Sequence, residues 1–157
     1  MIWGGISYGG KTELKIVRGC LNAARYCADI ILPAVVPYIH NGNADFFQPD
    51  NARCHTALYT RNILAANNIN TLEWPSRSPD PSPLEHMCDH LGRRLRERND
   101  VNNVNDLERA LHEEWVHTPL RVIRRLINSM RRRYFAVIHA RGGHKRYRLF
   151  SNFNFDT

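Results

Sequence analysis

A chain of 157 residues, 43% hydrophobic and 24% charged, is long enough for one domain with an appendage and too short for two full domains. That hydrophobic share excludes wholesale disorder, no apolar run approaches the roughly 20 residues that cross a bilayer, and the opening Met1-Ile2-Trp3-Gly4-Gly5 lacks the basic start and apolar stretch of a secretory leader. The net charge of +7 is unevenly placed: residues 1–90 hold seven basic and eight acidic side chains, residues 91–148 fifteen and six. An arginine-rich second half points to a polyanion partner, with a solvated helix face as the alternative. Cysteines at 20, 27, 54 and 88 form no CxxC pair, so free thiols in a reducing compartment are expected.

Along the chain, Ile2, Gly4 and Ile6, then Leu14, Ile16 and Val17, flank Gly9-Gly10 and read as two short strands around a turn. Asn22 is placed to cap a helix that buries Tyr26, Cys27, Ile30 and Ile31, which Pro33 and Pro37 then break or kink. Asp45-Phe46-Phe47-Gln48 reads as a buried strand ending at Pro49-Asp50, and Thr71 to Trp74 as another. Between them a helix over 56–66 turns Leu58, Ile63 and Leu64 inward. Four prolines between 75 and 83 stiffen a loop into a helix start, with Ser82 as N-cap, Pro83 at N1 and Glu85 at N3. That helix should bury Leu84, Met87, Cys88, Leu91 and Leu95. A next helix from Asn105 buries Leu107, Leu111 and Trp115. A last one from Thr118-Pro119 buries Ile123, Leu126, Ile127, Met130 and Tyr134, shows Arg121, Arg124, Arg125, Arg131 and Arg132 outward, and ends at Gly142-Gly143. The pattern predicts a mixed α/β core with a helical C-terminus.

Two acids stand where metal chemistry could use them. Asp50 ends an apolar strand and Glu85 opens a helix; two such carboxylates can meet on hard divalent cations. A turn aspartate and a capping-box glutamate explain the same positions equally well. His86, Cys88 and His90, with Cys54-His55, offer a zinc alternative, against a core cysteine flanked by surface histidines. No Gly-rich phosphate loop and no Ser/His/Asp or Cys/His motif occurs.

Phe47-Gln48-Pro49-Asp50-Asn51-Ala52-Arg53-Cys54-His55 resembles the "FQQDNAPxH" segment of Tc/mariner transposases, and Ser78-Pro79-Asp80-Pro81-Ser82-Pro83-Leu84-Glu85-His86 their "SPDLNPIEH" segment. Trp3-Gly4-Gly5-Ile6-Ser7 and Arg141-Gly142-Gly143-His144 resemble two further segments in the same order. With 34 residues between Asp50 and Glu85, and Glu as the last acid, the likeness is to the Tc-type branch. It covers roughly residues 2–147.

The resemblance implies a ribonuclease-H-like α/β catalytic core with C-terminal helices: residues 1–148 as a catalytic domain (mixed sheet and helices over 1–98, a basic helical part over 99–148) and 149–157 as a tail. It further implies DNA transposition with two Mg²⁺ or Mn²⁺ ions, phosphodiester cleavage and strand transfer. Asp50 and Glu85 match the second and third catalytic, metal-binding acids, and Asn51 and His55 match neighbours of the site. Arg93, Arg94, Arg121, Arg124, Arg125, Arg131 and Arg132 would hold double-stranded DNA, both element ends and target. Paired action as a homodimer in the nucleus is implied by resemblance alone.

Departures from the family pattern shape the expectation. Pro81-Ser82 stands for Leu-Asn and Pro49 for Gln. The family's first catalytic Asp lies on a strand upstream of the Trp-Gly-Gly segment, and neither Asp45 nor Asp80 matches its position. The expectation is therefore an N-terminally truncated, incomplete copy lacking that Asp and the helix-turn-helix units that read element ends. The alternatives are a non-catalytic basic DNA-binding module or a non-functional transposon relict.

Overall fold

A computed structural model describes residues 1–72 and 82–139. The sequence-predicted features at Trp74, in the proline loop, at Gly142-Gly143 and in the tail lie outside the described residues.

The chain opens on a β-hairpin of four short strands: β1 (Ile2–Trp3), β2 (Ile6–Ser7), β3 (Gly10–Lys11) and β4 (Lys15–Ile16). Ile2 pairs with Ile16 and Trp3 with Lys15, while Ile6 pairs with Lys11 and Ser7 with Gly10. Two residues between the paired stretches face three on the return strand, so the hairpin carries a bulge at 12–14. Thr12 stitches it, donating its N–H to the Gly5 carbonyl (2.8 Å) and accepting the Gly5 N–H on Oγ1 (2.8 Å).

The bulged hairpin feeds two cores. Val17 and Trp3 join Tyr26, Cys27, Ile30, Ile31, Val35, Leu64 and Ile69. Leu14 and Ile6 join Met87, Leu91, Leu111 and Trp115. The hairpin is thus the layer between two helical groups.

The first group begins with α1 (Ala23–Tyr26), capped by Asn22 Oδ1 accepting the Arg25 N–H at 2.9 Å, as the sequence predicts. The helix does not break at Pro33. It continues through a π-helical segment, Cys27–Val35, into α2 (Val36–His40). Pro33 has no N–H to give, and the widened turn, with Val36 N–H bonding to the Ile31 carbonyl, carries the chain past it.

Beyond it, the expected buried strand at 45–48 is reduced to one parallel bridge, Phe47 to Thr71. Phe47 N–H donates to Asn70 (2.8 Å) and Leu72 N–H to Phe47 (2.9 Å). Phe47 packs on the first core while Phe46 is 60% exposed. Pro49 removes a backbone donor that would extend the ladder. Helices α3 (Arg53–Thr56) and α4 (Leu58–Ala66) lie between the bridge partners. Leu58, expected inward, is 73% exposed because α4 starts there, after an extended Ala57; Leu64 is buried as expected, and Thr60 joins it.

The second group comprises α5 (Pro83–Arg96), α6 (Val104–His117), α7 (Leu120–Asn128) and α8 (Met130–His139). In α5, Pro83 takes the first position as predicted, but Ser82 makes no side-chain cap. Cys88 is exposed rather than buried, since the stripe runs through 84, 87, 91 and 95 and leaves it on the flank. Helix α6 starts earlier than expected. Asn103 Oδ1 accepts the Asp106 N–H (3.0 Å), and Asp106 Oδ2 in turn accepts from Asn103 Nδ2 (2.9 Å) and the Asn102 N–H (3.2 Å), closing a capping box, while Glu108 pairs with Arg18. Ala110 takes the buried place expected of Leu107.

The single last helix is two, parted at Ser129, whose Oγ donates to the Leu126 carbonyl at 2.7 Å. Val122 and Ile123 are buried, and so is Arg133 (8% exposed), which donates to the Leu126 carbonyl at 3.2 Å. Among the described residues no helix is long and apolar enough to cross a membrane.

Candidate active site and nucleic-acid interface

Asp50 sits just past the Phe47 bridge, in a turn it closes itself. Its Oδ1 accepts the Ala52 N–H at 2.9 Å, an Asx-type turn that leads into α3. One helical turn later His55 brings its Nδ1 back onto the same Oδ1. The Asp50 side chain is 73% exposed and that of His55 10%. The His55 hydrogen bond, helped by the Ala52 N–H and the imidazole charge, holds the Asp50 carboxyl below its usual range against partial burial.

His55 is itself held from behind. Its ring lies 4.1 Å from that of Tyr26, tilted 31°, and Tyr26 is fully buried. The α3 backbone is tied to the same core: Thr60 Oγ1 donates to the Cys54 carbonyl at 2.6 Å and takes the Cys27 thiol at 3.6 Å. Burial pushes the Cys54 thiol up and raises the Tyr26 hydroxyl. Sequence reasoning paired Asp50 with His55 only through a motif and took Tyr26 as plain core. Nothing in a 29-residue separation announces a ring contact.

Glu85 lies exposed in the first turn of α5, where a carboxylate suits the helix N-terminus. Asn51 is exposed beside Asp50. Asp50 and Glu85 both present oxygen to solvent, and Oδ2 of Asp50 has no partner among the described residues. This is the donor chemistry hard dications take, so each carboxylate by itself suits an ion of that class. Among the described residues no group of three or more His, Cys, Asp and Glu side chains could hold a metal ion. His86, Cys88 and His90 therefore do not meet Cys54 and His55 on a zinc centre. Although Cys88 is exposed by surface area, neighbouring atoms partly desolvate its sulfur and raise the thiol, Asp89 and Glu85 adding to it, and partial burial lowers the His90 pKa.

The arginines divide. Arg94 of α5 pairs with Glu114 at 2.9 Å, and Arg98, in the loop that follows, pairs with Asp100 (2.6 Å), Glu113 (2.7 Å) and Glu114 (3.2 Å), so these two charges are taken up locally and by α6. Arg93, Arg121, Arg131 and Arg132 are exposed, as are Arg124 and Arg125. Arg124 stands 5.1 Å over the Tyr8 ring and donates to the Tyr8 carbonyl at 3.1 Å. Arg131 covers Phe135 at 5.8 Å. The hairpin tip and helices α7 and α8 therefore carry the basic surface. Tyr8 was not anticipated there.

No family model matches the chain. The transposable element Tcb1 transposase of Caenorhabditis briggsae is 36% identical over 149 residues, 94% of this chain and 54% of that protein. The Tc1 transposase of Caenorhabditis elegans is 35% identical over 152 residues with the same coverage, and the Tc3 transposase of that organism 31% over 144. The chain spans about half the length of these relatives. Among solved structures, the Mos1 transposase catalytic domain with raltegravir and Mn matches at a TM-score of 0.76 and 21% identity, over 92% of this chain and 76% of that one. The Mos1 strand transfer complex matches at 0.78 and 22%, over 92% and 43%. The likeness shows a ribonuclease-H-like fold. Over nearly its whole length the chain is thus similar in sequence to Tc-type transposases, and it shares the fold of the Mos1 catalytic domain.

Proposed function

We infer that this chain serves DNA transposition as a metal-dependent DDE-type catalytic segment, with Asp50 and Glu85 as metal-binding acids. The observation that supports this most is the Asp50 carboxylate, anchored through one oxygen and open through the other. Asp50 and Glu85 would hold Mg²⁺ or Mn²⁺, which in such chemistry activates the attacking oxygen and stabilises the leaving one in phosphoryl transfer. Solved Mos1 structures with Mn and with Mg support the choice of ion. The chain's own residues do the rest: the Ala52 N–H and His55 orient one acid, the α5 N-terminus presents the other, and Arg121, Arg124, Arg125, Arg131 and Arg132 hold phosphates of double-stranded DNA. Similarity to the Mos1 strand transfer and paired-end complexes supports DNA, element ends and target, as the partner. A homodimer and residence in the nucleus complete the proposal.

A second reading, DNA binding without cleavage, draws on the exposed arginines together with the lack of a three-ligand cluster among the described residues. The deciding experiment incubates the purified chain with supercoiled plasmid and with oligonucleotide duplexes in Mg²⁺ or Mn²⁺. Nicking that vanishes in Asp50→Asn and Glu85→Gln supports the first reading. Salt-sensitive binding with no metal-dependent nicking overturns it in favour of the second.

A further inference from the structure

We propose that His55, backed by Tyr26, is a positioning residue that fixes the Asp50 carboxylate so that only Oδ2 is offered to a divalent cation. The inference rests on the reading of Asp50 as a metal-binding acid and deepens it.

Three observations carry it. Both protein contacts to the carboxylate converge on Oδ1: the Ala52 N–H donates to it at 2.9 Å, and the buried His55 Nδ1 lies against it as an ion-pair contact and finds no other partner among the described residues. A carboxylate so held cannot spin freely, and with Oδ1 taken up by a backbone donor and an imidazole it meets a cation through one oxygen rather than two. The Asp50 side chain is 73% exposed, so solvent and backbone alone would leave it a choice of rotamers. Finally, the imidazole is almost wholly buried and lies against the Tyr26 ring at 4.1 Å, while Tyr26 shows no exposed surface and belongs to the core with Cys27, Ile30 and Ile31. Rigidity passes from the core at the end of α1 through Tyr26 to His55 and so to Asp50. A histidine serving only as packing would have no reason to aim a ring nitrogen at an exposed carboxylate. A surface ion pair would not bury its imidazole.

The test is Mn²⁺ binding to the purified chain, followed by electron paramagnetic resonance, for wild type, Asp50→Asn, His55→Phe and His55→Asn. Asparagine places an amide N–H close to where the Nδ1–H stood, and phenylalanine keeps the ring against Tyr26 but donates nothing. Loss of a group that orients a ligand typically weakens metal affinity by about 10–100-fold. The expected order is wild type close to His55→Asn, with His55→Phe weaker by that factor and Asp50→Asn weakest. Circular dichroism melting of each variant separates this from unfolding. Should His55→Phe melt below assay temperature, the His55→Asn variant decides alone, since a purely structural histidine predicts that it loses affinity together with its ring packing. Equal affinity in wild type and His55→Phe, with Asp50→Asn impaired, overturns the positioning role and leaves Asp50 a ligand. Equal affinity in wild type and Asp50→Asn overturns the ligand reading and this inference with it.

Discussion

Gly4 and Trp115 touch so closely that no other residue fits at position 4: a Cβ there would lie 2.9 Å from the indole Cη2 and 3.0 Å from Cζ2. The ring cannot slide away, because its Nε1–H donates to the Thr12 carbonyl at 2.8 Å within the hairpin bulge. Gly4→Ala should therefore cost about 1–3 kcal/mol by overpacking, read as a lowered urea midpoint. Trp115→Phe shortens the ring and should make the alanine nearly harmless, so the double variant should lose less than the two single losses added together.

Met87 is fully buried where α5 meets the hairpin and α6. Met87→Ala should cost about 2–5 kcal/mol in equilibrium urea unfolding. The exposed Cys88 beside it should accept serine within about 0.5 kcal/mol.

Salt dependence will sort the arginines. Arg121→Ala and Arg131→Ala should each lower the slope of log affinity against log salt for duplex DNA by about 1, measured by fluorescence anisotropy. Arg94→Ala should change it less, because Glu114 already occupies that guanidinium.

Acid will loosen the loop that joins α5 to α6. The Arg98 hydrogen bond holds the Asp100 carboxyl down at about 2, against about 3.9 for an unfolded aspartate. A depressed carboxyl contributes stability above the unfolded value and loses it as pH falls towards the folded one. Urea midpoints should thus fall between about pH 3.9 and 2, and Asp100→Asn should flatten that limb while leaving the other carboxylates' share.

The sequence made the repeating contacts readable and hid the local chemistry. The stripe of Leu84, Met87, Leu91 and Leu95 follows helical periodicity, and all four join the second core. Asn22 caps as its residue type suggests. Position 33 misled because proline's missing N–H and its clash with the preceding turn end a regular α-helix, whereas a widened turn makes room for the ring and lets Val36 bond back to Ile31. Arg133 was not singled out, yet the helix turns it inward from its exposed neighbours Arg131 and Arg132 to the Leu126 carbonyl. At the site, motif likeness found Asp50 and His55 but not their backing, since Tyr26 and Thr60 reach it through folding rather than through spacing.

Lys11 lies under the end of α6, its ammonium donating to the carbonyls of Trp115, Val116 (3.0 Å) and Thr118 (2.8 Å). Those partners stand 104 or more positions downstream. During synthesis the hairpin is made well before its partners: its lysine, the bulge carbonyl of Thr12 and the cleft over Gly4 all wait for residues near 115. Loop closure over such a span is slow, and until then the hairpin offers bare strand edges to its surroundings. Assembly of this molecule is governed by its last third, and a nascent chain stalled before α6 would be the form most exposed to aggregation and to chaperones.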